Sequence, residues 1–220
     1  MPVQTEKYQQ LIREFSSRNI TLVAVSKTKS NEDISDLYNL GQRDFGENYV
    51  QELVDKQAAL PKDIRWHFIG HLQSNKVKYI APFVYLIQGV DSFKLLKEIN
   101  RQAAKCSRVI DCLVQVHIAQ EETKFGMDKD ELEEVLLHIQ ELANVRICGL
   151  MGMASFSEDV EKLRGEFRYL RLLYNQFSQW PMVNGEWTVL SMGMSSDYGM
   201  AIEEGSTMVR IGSLLFGSRK

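Results

Sequence analysis

Short apolar runs alternate with helix-like segments along the whole chain. The run Leu22–Val25 is continuously apolar, as in a strand that is covered on both faces. Seven further segments read as strands: Arg43–Phe45, Trp66–Ile69, Tyr85–Val90, Asp111–Ile118, Val145–Met151, Thr188–Ser191 and Met208–Ile211. The pattern is typical of an α/β protein.

Helices are predicted between these strands, and one more precedes the first strand. They are Tyr8–Phe15, Asp33–Leu40, Tyr49–Leu60, Asn75–Ile80, Phe93–Lys105, Glu131–Leu142, Val160–Phe177 and Tyr198–Glu204. Ser30 or Asn31 can cap the second helix, and Gly41 can end it.

This order of elements predicts one domain over residues 1–220, a single (β/α)8 TIM-type barrel with an extra N-terminal helix. A doubly wound open sheet is the alternative fold. The first strand, however, is not followed by the Gly-x-Gly-x-x-Gly motif that a dinucleotide-binding sheet favours. In a barrel, functional groups collect at the carboxyl ends of the strands.

Composition narrows the functional classes. The net charge of -3 and the pI near 5.9 provide no general attraction to nucleic acid or to an anionic membrane. No apolar run approaches the roughly 20 residues of a membrane span, and Met1–Arg18 lacks the apolar centre of a secretion signal. The 3 cysteines are too few for a disulfide framework. We expect a cytoplasmic monomer without nucleic-acid or membrane partners.

Lys27 stands where the first strand reaches its carboxyl end. Side chains alternate along a strand, so Lys27 falls on the same side as Val23 and Val25. An ammonium at the mouth of a core loses hydration, which favours the neutral amine, and a neutral lysine can form a Schiff base with a carbonyl. For an isolated lysine, the alternative is a solvated charge that leans out of the strand end.

The segments after strands seven and eight are rich in glycine and serine, where barrels often bind phosphate. Gly193 and Gly212 would allow backbone N–H groups to approach an anion closely. Arg210 could neutralise its charge. Hydroxyl donors are available from Ser191, Ser195 and Ser213. The alternative is that these small residues only form tight turns.

Other polar residues give weaker signals. Glu47 and Asn48 follow strand two, and Asn48 either binds a ligand oxygen or caps the helix that begins at Tyr49. His67 and His71 do not suit one metal ion, because four residues of strand separate side chains by about 13 Å.

Three further side chains are interpreted as structural. His117 is read as a structural histidine, and Met151 and Met153 as core packing. Lys124 would lie in the loop after strand five, where it either reaches over the mouth of the barrel or is solvated.

A nucleophilic lysine opposite a phosphate site indicates a phosphorylated aldehyde as ligand. Pyridoxal phosphate has both groups. A sugar-phosphate aldolase would use the same two elements, and the residues alone do not choose between them.

Six motifs resemble those of the pyridoxal phosphate homeostasis proteins, in the same order and spacing over nearly the full chain. The motifs are Ala24–Lys29, Phe45–Gln51, His67–Lys76, Gly149–Met151, Ser191–Ser195 and Val209–Gly212. The segment from Gly70 to Lys76 is especially specific, because composition alone would rarely produce it.

The resemblance implies a barrel like that of alanine racemase, with pyridoxal 5′-phosphate held as an aldimine on Nζ of Lys27. It places the phosphate at Gly193–Ser195, which includes Met194, and at Gly212–Ser213, with Arg210 facing either the phosphate or the ring nitrogen. Asn48 maps to the cofactor's surroundings. Lys76 and Lys124 match family lysines whose roles stay open, and His71 occupies a variable position.

The family is described as binding, buffering or delivering the cofactor, with PLP-dependent apoenzymes as possible recipients, in vitamin B6 homeostasis and without clear turnover. A PLP-dependent amino-acid racemase or a Schiff-base aldolase is the alternative. Racemases of this fold take a second base from a separate β-domain, and we expect that domain to be absent because the chain ends at Lys220, soon after the last strand.

Overall fold

Eight parallel strands close into a barrel in chain order in a computed structural model, which describes residues 3–119, 125–181 and 183–217. The first and last strands pair in register from Thr21 and Met208 to Ala24 and Ile211, which closes the sheet. The strands are β1 Thr21–Val25, β2 Asp44–Glu47, β3 Arg65–Phe68, β4 Leu86–Val90, β5 Ile110–Val116, β6 Val145–Gly152, β7 Val189–Ser191 and β8 Met208–Ile211. The predicted TIM-type barrel is confirmed.

Helices surround the barrel and include the expected N-terminal one. They are α1 Thr5–Arg18, α2 Asn31–Asn39, α3 Val50–Ala59, α4 Val77–Ile80, α5 Phe93–Lys105, α6 Lys129–His138, α7 Val160–Phe177, α8 Tyr198–Glu203 and α9 Ser213–Phe216. The bounds of α5 and α7 coincide with the prediction. Ser30 caps α2 by accepting a hydrogen bond from the Asp33 N–H at 3.2 Å. The short helix α9 was not predicted.

None of the described helices combines the length and the apolar character that crossing a bilayer requires.

Two apolar cores hold these elements together. The larger one lies between the outer face of the sheet and the helices and includes Phe45, Phe68, Phe167 and Phe177, each at most 1% exposed. The smaller one fills part of the barrel interior. Its buried members are Val23, Leu86, Leu113, Met151 and Met208.

The rest of the barrel interior is polar. His67, Gln88, Gln115, Ser191 and Arg210 are all buried. Barrel interiors are usually filled by bulky branched apolar side chains, and a buried polar group is costly unless it is hydrogen-bonded. This polar core therefore must be internally bonded, and it leads from the amino ends of the strands to the mouth at their carboxyl ends.

Candidate functional site

A cavity of about 540 Å³ opens at the carboxyl ends of β1, β2, β7 and β8, within the size range of small-molecule sites. Seven of the nine residues predicted to bind a ligand line it: Lys27, Asn48, Met194, Ser195, Arg210, Gly212 and Ser213. The other two, Ser191 and Gly193, are not on its wall. Ser191 is fully buried in β7 and bonds Arg210, and Gly193 shapes the loop that follows.

The segment that presents Lys27 is a tight turn after β1. The N–H of Lys29 donates to the Ser26 carbonyl at 3.0 Å, which encloses Lys27 and Thr28. Thr28 has φ 64°, an unusual conformation for a β-branched residue. Surrounding contacts must therefore hold this turn in place.

A buried ionic cluster provides those contacts. Lys56 of α3 donates to the Ser26 carbonyl at 2.7 Å, to Glu47 Oε1 at 2.8 Å and to Glu52 Oε1 at 2.6 Å. Ser26 Oγ donates to the same Glu47 oxygen at 2.6 Å, and the Thr28 N–H donates to Glu52 at 2.6 Å. Both neighbours of Lys27 are thus fixed by charged side chains.

Burial raises the pKa of Glu47, and the charge and hydrogen bonds of Lys56 oppose that rise. Glu47 was noted as following strand two, but in the structure it is fully buried against Lys56 of α3, a residue that was not predicted. The only sequence signal was the Glu52–Lys56 spacing of four residues, which is ordinarily a surface helix pair.

Three other lysines were alternatives to Lys27. Lys29 lines the same cavity, but its ammonium donates to the Phe216 carbonyl at 3.1 Å. Lys76 lies in a neighbouring cavity of about 550 Å³ and sits over the ring of Tyr79. Lys124 falls outside the described residues. Lys27 therefore combines access to the first cavity with a rigidly held backbone.

The loops after β7 and β8 meet beside the Lys27 turn, because β8 pairs with β1. The backbone N–H of Arg210 donates to the Gly193 carbonyl at 3.0 Å, and the backbone N–H of Gly212 donates to Ser195 Oγ at 3.3 Å. Gly193 has φ 92°, and a Cβ there would lie 2.6 Å from Cβ of Ala201. Only glycine fits that position, which brings the loop against α8.

The donors on this wall suit an anion. The side chains of Ser195 and Ser213 carry hydroxyl groups, and α9 begins at Ser213, where the first N–H groups of a helix have no intrahelical partner. A Cβ at Gly212 would lie 3.2 Å from the Val25 carbonyl, so glycine lets β8 approach β1 at the cavity.

Arg210 is a buried cation on the floor of the cavity. Its Nη1 donates to Ser191 Oγ at 2.6 Å, and its Nη2 donates to the Gly152 carbonyl at 2.9 Å. Burial lowers its pKa to about 10, although the charge of Asp197 opposes this. The guanidinium therefore remains charged at neutral pH.

Asn48 offers the complementary group, an acceptor. Its Oδ1 is buried and receives no hydrogen bond within the described part of the chain. Helix α3 begins at Val50 after Tyr49, and Asn48 does not cap it. Gly70 packs against the Asn48 backbone, since a Cβ there would lie 2.5 Å from the Asn48 carbonyl oxygen. The predicted capping role of Asn48 is therefore not observed, and ligand binding by its side chain stays a prediction.

Charge on the described cavity wall has one sign. Its charged side chains are Lys27, Lys29 and Arg210, and no carboxylate lines the described part of the wall. Apolar side chains complete it: Val25, Ile69, Met153, Met194, Leu214 and Phe156, the last 92% exposed. Such a wall suits an anion with a flat apolar body.

Of these apolar residues only Met194 was predicted to belong to the site, and Met153 and Phe156 illustrate why the others were missed. Met153 was interpreted as core but is half-buried on the cavity wall, whereas Met151 lies in the barrel core. Their spacing of two along the end of β6 puts both on the inner side, with Met153 nearer the mouth. Phe156 lies in an irregular segment, where no periodic pattern could identify it.

The histidines lie apart. His67 is buried within the barrel, and His71 is exposed, pairs with Asp91 at 2.8 Å and stacks on Phe125. His117 is half-buried after β5. Among the residues described by the structure, no group of three or more histidine, cysteine or acidic side chains could hold a metal ion.

Comparisons with known proteins identify close relatives. The sequence profile described as "Alanine racemase, N-terminal domain" matches residues 5–220. A "Pyridoxal phosphate homeostasis protein" of Aquifex aeolicus is 45% identical over 200 residues, which covers 90% of this chain and 87% of the relative. A human protein with the same name is 37% identical over 230 residues, covering 97% of this chain and 83% of that protein.

Solved structures agree with these matches. The structure of PipY from Synechococcus elongatus, with PLP bound, has a TM-score of 0.87 at 36% identity and covers 96% of this chain and 99% of that one. Alanine racemase from Bartonella henselae has a TM-score of 0.71 at 15% identity, covering 94% of this chain and 56% of the racemase. That likeness shows a shared barrel fold.

Proposed function

Since this chain belongs to the pyridoxal phosphate homeostasis protein family, we propose that it binds pyridoxal 5′-phosphate in the cavity at the barrel mouth and acts in the intracellular homeostasis of that cofactor. The observation that carries the proposal is the cavity itself, which brings Lys27 together with the Ser195 and Gly212 loops. An aldehyde and a phosphate on one small ring require such a pair of walls.

The residues present fit the cofactor group by group. Ser195, Ser213 and the start of α9 supply donors for a phosphate. The buried Oδ1 of Asn48 can accept a hydrogen bond from a ring hydroxyl. Val25 and Met153 provide apolar surface for the ring. Arg210 supplies positive charge, and we assign it to the phosphate, where opposite charges attract without changing the protonation of the ring.

We further propose that Lys27 would hold the cofactor through a covalent bond from Nζ to the aldehyde carbon, with the aldehyde oxygen leaving as water. The cluster around Lys56 supports this role because it fixes Ser26 and Thr28 on either side. The engagement of Lys29 with Phe216 also supports it. When bound, the cofactor would supply a carbonyl that exchanges reversibly between amines.

The proposed activity is storage and delivery of the cofactor to PLP-dependent apoenzymes, without turnover of amino acids. The names of the relatives support a role in homeostasis. Racemisation needs a base on each face of the substrate, and the described cavity wall holds no histidine, tyrosine, cysteine or carboxylate beside its lysines.

Borohydride reduction of the cofactor-loaded protein, followed by peptide mapping, tests the attachment. We expect the label on the peptide that contains Lys27. Label on Lys29, Lys76 or Lys124 would contradict the assignment. In deuterated water, the loaded protein should leave the α-hydrogen of added amino acids unexchanged, and exchange would indicate a racemase instead.

A further inference from the structure

An unbroken chain of buried hydrogen bonds crosses the barrel interior from the cavity floor to the amino ends of the strands. Arg210 Nη1 lies 2.6 Å from Ser191 Oγ, which lies 2.7 Å from Gln88 Oε1. Gln88 Nε2 lies 3.1 Å from His67 Nδ1, and His67 Nε2 lies 2.9 Å from Asp44 Oδ1. The chain of hydrogen bonds thus joins side chains of five strands, in the order β8, β7, β4, β3 and β2.

Chemistry at both ends fixes the direction of every bond. Arg210 can only donate, so Ser191 accepts from it and donates its own hydrogen to Gln88 Oε1. At the other end Asp44 is a carboxylate that can only accept, so His67 donates from Nε2 and accepts at Nδ1 from Gln88. The amide of Gln88 meets both requirements, because its oxygen accepts from Ser191 and its nitrogen donates to His67.

Gln88, at the centre of the chain, uses all of its hydrogen-bonding groups. The amide nitrogen of Gln88 also lies 3.2 Å from the sulfur of Met208, which can accept its second hydrogen. Arg65 bonds both oxygens of Asp44 and completes the outer end of the chain. Gln88, His67 and Ser191 are 0% exposed, so water cannot replace a missing partner.

We propose that Gln88 and His67 are positioning residues that hold Arg210 in its ligand-binding orientation through Ser191. The inference rests on the proposed function, because it concerns binding of the same anionic cofactor. Asp44 fixes the hydrogen positions along the chain, so that Ser191 presents a lone pair to Arg210. The guanidinium is then held by Ser191 and by the Gly152 carbonyl, and its remaining N–H groups are available to a ligand.

Energetic reasons favour this arrangement. Burial makes the charge on Arg210 costly, and the acceptor atoms of Ser191, Gln88 and His67 all point along the chain toward it. Hydrogen bonds aligned in one direction polarise one another, so the chain strengthens the bond that Ser191 accepts from Arg210. An apolar residue at position 88 would interrupt both the geometry and this alignment.

The test compares three variants in cofactor binding, measured by titration of visible absorbance. Gln88→Met removes both bonds while keeping a similar volume. Gln88→Glu retains an acceptor for Ser191 and loses only the N–H groups that Gln88 presents to His67 and Met208. Gln42→Met is the matched control, because Gln42 is also buried and bonds the backbone oxygens of Leu22 and Asp44 and the hydroxyl of Tyr8. It bonds none of the side chains that link Arg210 to Asp44.

We expect Gln88→Met to weaken binding about tenfold, an effect the size of one lost hydrogen bond, and Gln88→Glu, which keeps the acceptor for Ser191, to restore most of the affinity. Gln42→Met should bind like wild type even if the cofactor-free variant unfolds at a lower temperature. Unchanged affinity in Gln88→Met, or equal losses in Gln88→Met and Gln42→Met, would overturn the positioning role alone. Absence of saturable binding in wild type would overturn the proposed function as well.

Discussion

Charge is arranged in opposite ways at the two ends of the barrel. At the amino ends, neighbouring strands place opposite charges side by side. Asp44 of β2 is in register with Arg65 of β3, and Asp111 of β5 is in register with Arg146 of β6. In both pairs the arginine bonds both carboxylate oxygens.

At the carboxyl ends, the described cavity wall carries Lys27, Lys29 and Arg210 without a carboxylate. The chain as a whole has a net charge of -3, so this positive wall does not follow from composition. Like charges in one cavity repel each other and oppose folding unless an anion offsets them. The comparison teaches that the amino end pairs its arginines with carboxylates on neighbouring strands, whereas the described cavity wall at the carboxyl end has cations as its charged side chains.

Replacing Lys27 should have the largest effect on the ligand end. Lys27→Ala removes the amine proposed to bond the aldehyde, so we expect complete loss of the visible absorbance of the loaded protein and of borohydride-stable label. Lys29→Ala is the matched control, because Lys29 lines the same cavity but bonds Phe216. A labelled, coloured Lys27→Ala variant would contradict the assignment.

Lys56 lies near the carboxyl ends of the strands, but, like the arginines at the amino ends, it is paired with carboxylates. Its side chain is 6% exposed and bonds Glu47 and Glu52. Lys56→Met should lower the free energy of unfolding by about 3 kcal/mol, since it leaves a buried carboxylate without its cation. Urea unfolding measures this loss, with the exposed Lys62→Met as control. Equal losses in the two variants would show that the cluster is not structural.

Asp44 tests the amino end through its pH dependence. Burial alone would raise its pKa, but hydrogen bonds from Arg65 and His67 outweigh burial and lower the pKa from 3.8 to about 2. A lowered folded-state pKa contributes stability that is present above pH 4 and is lost as the pH falls toward 2. The shift corresponds to about 2 kcal/mol.

Urea unfolding of wild type and Asp44→Asn at pH 5 and near pH 2 measures this contribution. The variant should be less stable at pH 5, and the difference should shrink by about 2 kcal/mol at the lower pH. A difference that is the same at both values would show that Asp44 does not titrate with folding.

Much of the fold could be predicted from sequence because its signals are local. The apolar run at Leu22–Val25 predicts strand β1, and the uninterrupted helical pattern over Val160–Phe177 predicts helix α7. The same holds for the two glycine-serine loops, whose positions after β7 and β8 are fixed by the barrel topology. Lys27, Ser195 and Gly212 could therefore be assigned to one cavity in advance.

The supporting contacts could not be predicted, because they join residues that are distant in sequence. Gln88 bonds Ser191 across 103 positions, and Ser26 bonds Glu47 across 21. Ser191 was expected to donate to a ligand, but in the barrel its hydroxyl is used by Gln88 and Arg210. A single sequence identifies polar residues on buried strands, but it does not tell which of them meet inside the barrel.

Breaking the pair of Asp111 and Arg146 should have the smallest effect on stability. It tests whether an ion pair with good geometry contributes little when it is exposed. The pair has the same two-bond geometry as the pair of Asp44 and Arg65, but the side chain of Arg146 is 53% exposed and that of Asp111 is 24% exposed. Water and salt screen such charges, so Asp111→Asn should lower the free energy of unfolding by less than about 1 kcal/mol, and 1 M salt should reduce even that difference. Urea unfolding at low and high salt measures both values. A loss as large as that of Asp44→Asn at pH 5 would mean that register pairing, and not burial, decides the strength of these charges.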